Sequence, residues 1–553
     1  MKKRAFSTLV REFAHSVRSF GPGHNNLTLD LLNQLAGSSF GRAQDVARYH
    51  DALLFSVAYP QSPAHFDLSS RELHRVAEFV STRRRTEAQD FLNSGIAGCT
   101  INDSFSLELN AWLLNLAGER VHLDLSDADR TLIASTLSTL LDPVEFEMSS
   151  ADPSWSDWIS ANIGSRPDDH QILRWIVDAS GRLPGNTSYR EMTFSRFRIR
   201  TTWKTLPRDP VITLGRAPYK DPCIVAESLI RHVDLEAELR GTQPTEVSLS
   251  TSQRTQVIEL SRGVLASRSR ETDPSTYANV DELTYLDMGR GLTIALMPMI
   301  SDMKMAIQSY VGYMAFRNGV PCAYGGGWLL FGETGFGVNV YEPFRGGESA
   351  WIVAQLMKAY HSVFHVSSFT IDPYQIGLGN PDAIASGAFW FYYRLGFRPQ
   401  ERVYRTLASA EWKKMMKDPT YRSSREDLRK LANASMRWTL KDSAVRPIIA
   451  ERLSEVVAEF IREQHGGDRH AARMDAMKTI ERKTDRKVRR TDAVSRIAVL
   501  LAACGYVNAA TLQEIVQFAR DYEVKQRDET QYVRLSQRYT LLIDLISNLS
   551  NDQ

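Results

Sequence analysis

Residues 344–350 read Phe344-Arg345-Gly346-Gly347-Glu348-Ser349-Ala350, between a strand-like run and a helix-like run, and their reading decides the fold. An arginine and paired glycines at such a junction suit an anionic, phosphate-bearing ligand. The first amide N–H groups of a helix have no internal partners and carry partial positive charge. Glycines let a phosphate approach the backbone, and an arginine adds a charged, forked donor. Glu348 opposes this reading. A carboxylate about 5 Å from a phosphate, at an effective dielectric of about 20, costs roughly 3 kcal/mol. That is about two orders of magnitude in affinity.

Working upstream, runs 310–316 and 320–324 flank Asn318-Gly319, the dipeptide suited to a type I′ hairpin turn, which needs positive φ at both central residues. Residues 328–331 extend the second arm, Gly332-Glu333-Thr334-Gly335 turns the chain, and 336–341 forms a third strand. The pattern predicts an antiparallel three-stranded meander. Downstream, Ile352, Val353, Leu356, Met357, Tyr360 and Phe364 recur at helical spacing. Phe369-Thr370-Ile371 follows as a short strand. Asn380 as N-cap, Pro381 at the first helical position, Asp382 in the first turn and Gly396 beyond the end then punctuate a second helix.

Beyond this segment the chain is mainly helical. Ser69-Ser70 before Arg71-Glu72, and Ser126 or Asp127 before Leu132 and Ile133, predict capped helices in 1–141. The small-residue turn 94–100 predicts close backbone packing. Residues 142–275 are irregular, with Arg196, Arg198 and Arg200 alternating with Phe197 and Ile199 like a two-faced, solvated strand. Residues 411–553 are helical, broken at Gly466-Gly467-Asp468, with a basic helix face at 482–490.

The 553 residues exceed one ordinary core, and 43% apolar with 24% charged residues is a folded composition. A net charge of +2 gives no overall field for nucleic acid or an anionic membrane, so no nucleic-acid partner is expected. Four scattered cysteines form no CxxC pair, which fits a reducing compartment. No apolar run is long enough to span a bilayer, and the apolar run after Met1-Lys2-Lys3-Arg4 is too short for a secretory signal. A cytoplasmic location is the expectation.

The order strand, strand, strand, loop, helix, strand, helix, with these residues, resembles the GNAT superfamily of N-acyltransferases. In that family the third core strand leads to a loop of the form Gln/Arg-x-x-Gly-x-Gly/Ala. Here Arg345 and Ala350 match it, and Glu348 stands where glycine is usual. The later pattern Asn-x-x-Ala-x-x-x-Tyr-x-x-x-Gly-Phe is met at Ala388, Tyr392, Gly396 and Phe397. Its asparagine is replaced by Ala385, with Asn380 just upstream. The helical flanks are similar to those of large bacterial proteins that carry such a segment.

The resemblance covers about a quarter of the chain. It implies an α/β (α+β) architecture: a GNAT-like mixed sheet with flanking helices at 276–410, between a helical region 1–141 with its extension 142–275 and a helical region 411–553. It implies transfer of an acyl group from acetyl-CoA or another acyl-CoA to an amine, with Arg345, Gly346, Gly347, Ser349, Ala350 and Asn380 at the donor. Tyr392 is the implied acid for the leaving thiolate; as a residue it reads equally as a core aromatic. Glu342 and Asp372, at the ends of the third and fourth strands, are candidate bases and equally solvated strand-end carboxylates. His361 and His365 lack the further ligands a metal site needs, so no metal is expected.

Three outcomes remain open for Glu348. It points outward as a favourable first-turn charge, it pairs with Arg345 and closes the site, or the donor is something other than coenzyme A, such as an acyl carrier protein or an aminoacyl-tRNA. The alternative function is a non-catalytic module of the same fold that binds a ligand or a protein partner.

Overall fold

The computed structural model describes residues 5–21, 23–84, 88–126, 129–147, 155–443, 445, 448, 450–485, 487–489 and 493–551. The expectations on Met1 to Arg4, on Asp127 and on parts of 143–169 and 482–490 lie outside them.

Among the described residues, twelve strands make two sheets. β1 (Thr100–Asp103), β2 (Val121–Asp124) and β3 (Arg200–Lys204) form a small antiparallel sheet in which β3 is central. A sheet therefore joins 1–141 to the stretch read as irregular. The larger sheet contains β4 (Thr245–Glu246), β5 (Thr284–Asp287), β6 (Leu292–Met297), β7 (Ser309–Arg317), β8 (Val320–Leu330), β9 (Glu333–Val340), β10 (Ser368–Ile371), β11 (Arg398–Pro399) and β12 (Met436–Thr439). Its order is β11-β12-β10-β9-β8-β7-β6-β5-β4. The fold is mixed α/β.

All neighbours in the large sheet are antiparallel except β9 and β10, which run parallel and are joined by the helix Ser349–Phe364. The meander is wider than its sequence signal, because β5 and β6 extend it on one side. Asn318 and Gly319 take φ 47° and 74° at the β7–β8 turn, as the hairpin signal requires. The next turn falls at Phe331 (φ 54°) and Gly332, so Glu333 already belongs to β9.

The helix Ser349–Phe364 is buried on more than its predicted face. It lies between the sheet and the helices Leu235–Arg240 and Glu529–Ser536. Its polar side chains are accommodated accordingly: Gln355 and Lys358 reach the Glu238 carboxylate at 2.8 and 3.3 Å. The glycines of β8 let aromatic rings lie on the backbone. A Cβ on Gly327 would come 2.5 Å from the Tyr360 ring, whose hydroxyl donates to the Val311 carbonyl at 2.6 Å.

Several local expectations are corrected. The helix Pro63–Ser81 is capped by Ser62 and runs through Ser69-Ser70; Ser69 donates instead to Ser56 inside the core. Asp129, not Ser126, caps Arg130–Leu137. Arg198 takes φ 48°, which ends the supposed alternation before β3 starts at Arg200. The small-residue turn is as tight as expected, since a Cβ on Gly98 would lie 2.3 Å from the Ser81 hydroxyl. Among the described residues no helix is long and apolar enough to cross a membrane.

Candidate functional site

β9 and β10 pair only from Glu333↔Ser368 to Thr370↔Gly335. β9 continues to Val340 while β10 ends at Ile371, so the two strands part after Gly335. Beyond that point a side chain replaces the missing strand. Gln375 accepts a hydrogen bond at Oε1 from the Val338 N–H, 3.1 Å away. A Cβ on Gly337 would lie 3.0 Å from Gln375 Nε2 and 3.5 Å from Cζ3 of Trp328, so glycine lets both groups lie close over the backbone. The Tyr392 hydroxyl donates to the same Gln375 oxygen at 3.4 Å. Tyr392 is 4% exposed, and desolvation holds its pKa well above the usual phenol range. It keeps its proton at neutral pH.

At the mouth of this splay lies the loop 342–350. Gly346 takes φ 75°, and the helix begins at Ser349 behind Glu348, whose side chain makes no capping bond. The first-turn amides thus lack a side-chain cap. Arg345 is exposed; its Nε donates to the Val340 carbonyl at 3.0 Å, and Glu342 stands 4.0 Å from its Nη1. Ser349 and Ala350 are half-buried.

Glu348 takes neither of the two expected positions, pointing outward or pairing with Arg345. It is turned into the protein and fully buried. Its carboxylate lies 3.3 Å from Nη2 of the equally buried Arg317 and 3.5 Å from Nη2 of Arg290, and it accepts from the Ile230 N–H at 3.0 Å. Arg317 is itself held between Tyr59 and Trp351, 4.9 and 5.5 Å from the ring centroids. The carboxylate that argued against an anion is neutralised beneath the loop. A lone sequence window could not show this, since Arg290 and Ile230 are 58 and 118 residues away.

The loop also has a support that no motif suggested. Arg18 donates from Nη2 to the Pro343 carbonyl at 2.6 Å and from Nη1 to the Arg345 carbonyl at 2.8 Å, while lying 4.7 Å from the Phe55 ring centroid. Phe55 in turn closes on Gly347, where a Cβ would approach its ring to 3.3 Å.

The remaining sequence candidates have definite placements. Glu342 is exposed beside Arg345. Asp372 is an exposed N-cap that accepts from the Tyr374 N–H at 2.7 Å. Asn380 is a cap on both sides, accepting from Ala383 N–H and donating to the Tyr374 carbonyl. The helix it opens is interrupted at Gly387 (φ 70°), which separates Pro381–Ser386 from Ala388–Arg394. His361 Nδ1 lies 2.7 Å from the Val366 carbonyl, a helix-end contact. No group of three or more metal-ligating side chains is found among the described residues.

Near the Arg18 end, Asp51, His50 and Thr213 form a relay of 3.1 and 3.0 Å. Thr213 is fully buried and its oxygen already accepts from the Ala97 N–H, so this triad is a packing device without access for a substrate. Compared with protein-family models, curated proteins and solved structures, the chain matches none of them.

Proposed function

We propose that this chain is an N-acyltransferase that takes an acyl group from an acyl-CoA or related thioester to an amine. The splay between β9 and β10 carries this reading. A parallel pair that opens beside an uncapped helix start offers both strand amides for an extended amide-bearing donor and helix amides for its pyrophosphate. Withdrawal of Glu348 onto Arg317 removes the like charge that opposed it. Arg345, Gly346, Gly347, Ser349 and Ala350 would hold the pyrophosphate, with Asn380 shaping the far rim.

In the reaction the amine nitrogen attacks the thioester carbonyl, a C–N bond forms and the C–S bond breaks. Tyr392 gives its proton to the leaving thiolate. Glu342 or Asp372, at the C-terminal ends of β9 and β10, takes the proton of the amine directly or through water. Gln375 must leave the Val338 N–H for the donor to bind there.

One observation favours a second reading, a non-catalytic module of the same fold. Gln375 and Tyr392 already satisfy each other in the splay, and neither carboxylate is buried or held toward it. Calorimetric titration of coenzyme A and acetyl-CoA separates the two. Binding that is lost in Arg345→Glu, with turnover of an amine panel that falls at least 10-fold in Tyr392→Phe, supports the enzyme. Absence of heat at millimolar ligand overturns the acyl-CoA reading, and binding without turnover supports the module.

A further inference from the structure

On the face of the sheet opposite the helix Ser349–Phe364, a cavity of about 430 Å³ opens beside Trp328. Tyr310 and Trp328, paired across β7 and β8, stack with centroids 4.3 Å apart and ring planes 9° apart, and form one wall. Met299, Met303 and Met305, from the β6–β7 connection, form another. No lysine, arginine or histidine is among the lining residues, which include two carboxylates, Glu271 and Asp273.

The two carboxylates differ. Glu271 accepts from the Ser106 hydroxyl, the Ser106 N–H and the Thr276 hydroxyl, so its oxygens are occupied. Asp273 is exposed at the rim and has no hydrogen bond or ion pair through its carboxylate among the described residues. Its charge also acts on the Tyr310 phenol, whose pKa is pushed up to about 12, chiefly by burial. An unpartnered carboxylate at the rim of a wall of two stacked rings is chemistry that suits a cation with an apolar body. Methionines give such a wall adaptable, polarisable contact. An anionic ligand would meet uncompensated repulsion here.

We infer that this cavity is the binding site for a primary ammonium carrying an aromatic or similarly sized apolar group, with Asp273 as the charge partner and Tyr310 and Trp328 as the apolar wall. Trp328 ties the cavity to the splay, because its ring and the Gln375 amide both lie over Gly337. The ammonium site and the proposed thioester position are thus neighbours across one glycine. The role of the ligand as acyl acceptor rests on the acyltransfer reading; its binding does not.

The test uses the full chain without any acyl donor. Phenethylamine, phenethyl alcohol and phenylacetate are titrated by calorimetry and by quenching of tryptophan fluorescence. Phenethylamine is expected to bind at least 10-fold more tightly than the alcohol, with no binding of the carboxylate. Asp273→Asn, an isosteric change, is expected to remove the preference for the amine while leaving the alcohol unchanged. Trp328→Phe is expected to weaken both and to abolish the quenching. Equal affinities for amine and alcohol in the unmodified protein, or an unchanged preference in Asp273→Asn, overturn the proposal without any variant having to misfold. Amine binding without coenzyme A binding sinks the acyltransfer reading and leaves this site standing; the reverse result sinks this site alone.

Discussion

Two buried charge networks flank the candidate site, and they are built on different cations. Beneath the loop 342–350, Glu348 is held by Arg317 and Arg290. Behind the β6–β7 connection, Lys304 pairs with Glu282 at 2.6 Å and lies 3.6 Å from Glu529, while Lys525 pairs with Glu529 at 2.5 Å and donates to the Gln308 carbonyl and the Ser309 hydroxyl. The second network fastens the C-terminal helices Leu512–Val524 and Glu529–Ser536 to the sheet, helped by Tyr532 donating to the Ile307 carbonyl at 3.0 Å. An arginine stays charged at every accessible pH, whereas a buried lysine does not. Desolvation lowers Lys525 to about 8, outweighing the attraction of Glu529. The loop side is therefore indifferent to mild alkali, and the side that carries Met303 and Met305 is sensitive to it.

Removing a cation should break the arginine network hardest. Arg317→Met leaves Glu348 buried without its closest charged partner, and a loss of about 3–5 kcal/mol is expected in urea unfolding. Arg317→Met combined with Glu348→Gln should recover most of that loss. A double variant as unstable as the single one would mean that packing against Tyr59 and Trp351, not charge, sets the cost.

The lysine network responds to pH. The unfolded chain holds the Lys525 proton to its ordinary pKa of 10.5, the folded chain only to about 8. Between those values the unfolded state binds more protons, so the contribution of this group to unfolding free energy rises with pH. A shift of that size corresponds to about 3 kcal/mol. The difference in unfolding free energy between the unmodified chain and Lys525→Met should therefore change steadily from pH 8 toward 10. Parallel pH profiles would assign the sensitivity elsewhere.

The smallest expected effect sharpens the comparison at the loop itself. Arg18→Met removes two bonds to loop carbonyls, with an expected cost of about 1–2 kcal/mol. Hydrogen exchange of the amides at 342–351 should quicken about 10-fold while those of β7 and β8 stay protected. Uniform acceleration throughout the sheet would show a global rather than a local support.

The elements legible in the sequence are those whose signals are local. Asn318-Gly319 marks its hairpin because positive φ at two successive residues is a demand few dipeptides meet. Asn380-Pro381 marks its helix start because cap and first-turn proline act within three residues. The failures are local signals overruled by distant contacts. Ser69 looks like a cap, but Ser62-Pro63 starts the helix earlier and Ser56 occupies its hydroxyl. Arg345 and the glycines of the loop were legible as a charged, glycine-bearing junction between strand and helix. The direction of Glu348, the support from Arg18 and the Gln375 plug were not, because each depends on a residue that only the folded sheet brings near. Asp273 carried no motif at all; its isolation among two rings and three thioethers is visible only in three dimensions.

The bonds from Arg18 to the loop join residues 325 and 327 positions apart. At ordinary synthesis rates of about 5–20 residues per second, Arg18 leaves the ribosome roughly 15–65 s before the carbonyls it will hold. During that interval the helices around Arg18 can pack, so that its guanidinium is in place before the loop exists. An excised segment 276–410 would lack the same support permanently. The loop is thus finished by a segment made long before it, and its backbone is held only once the two distant parts of the chain meet.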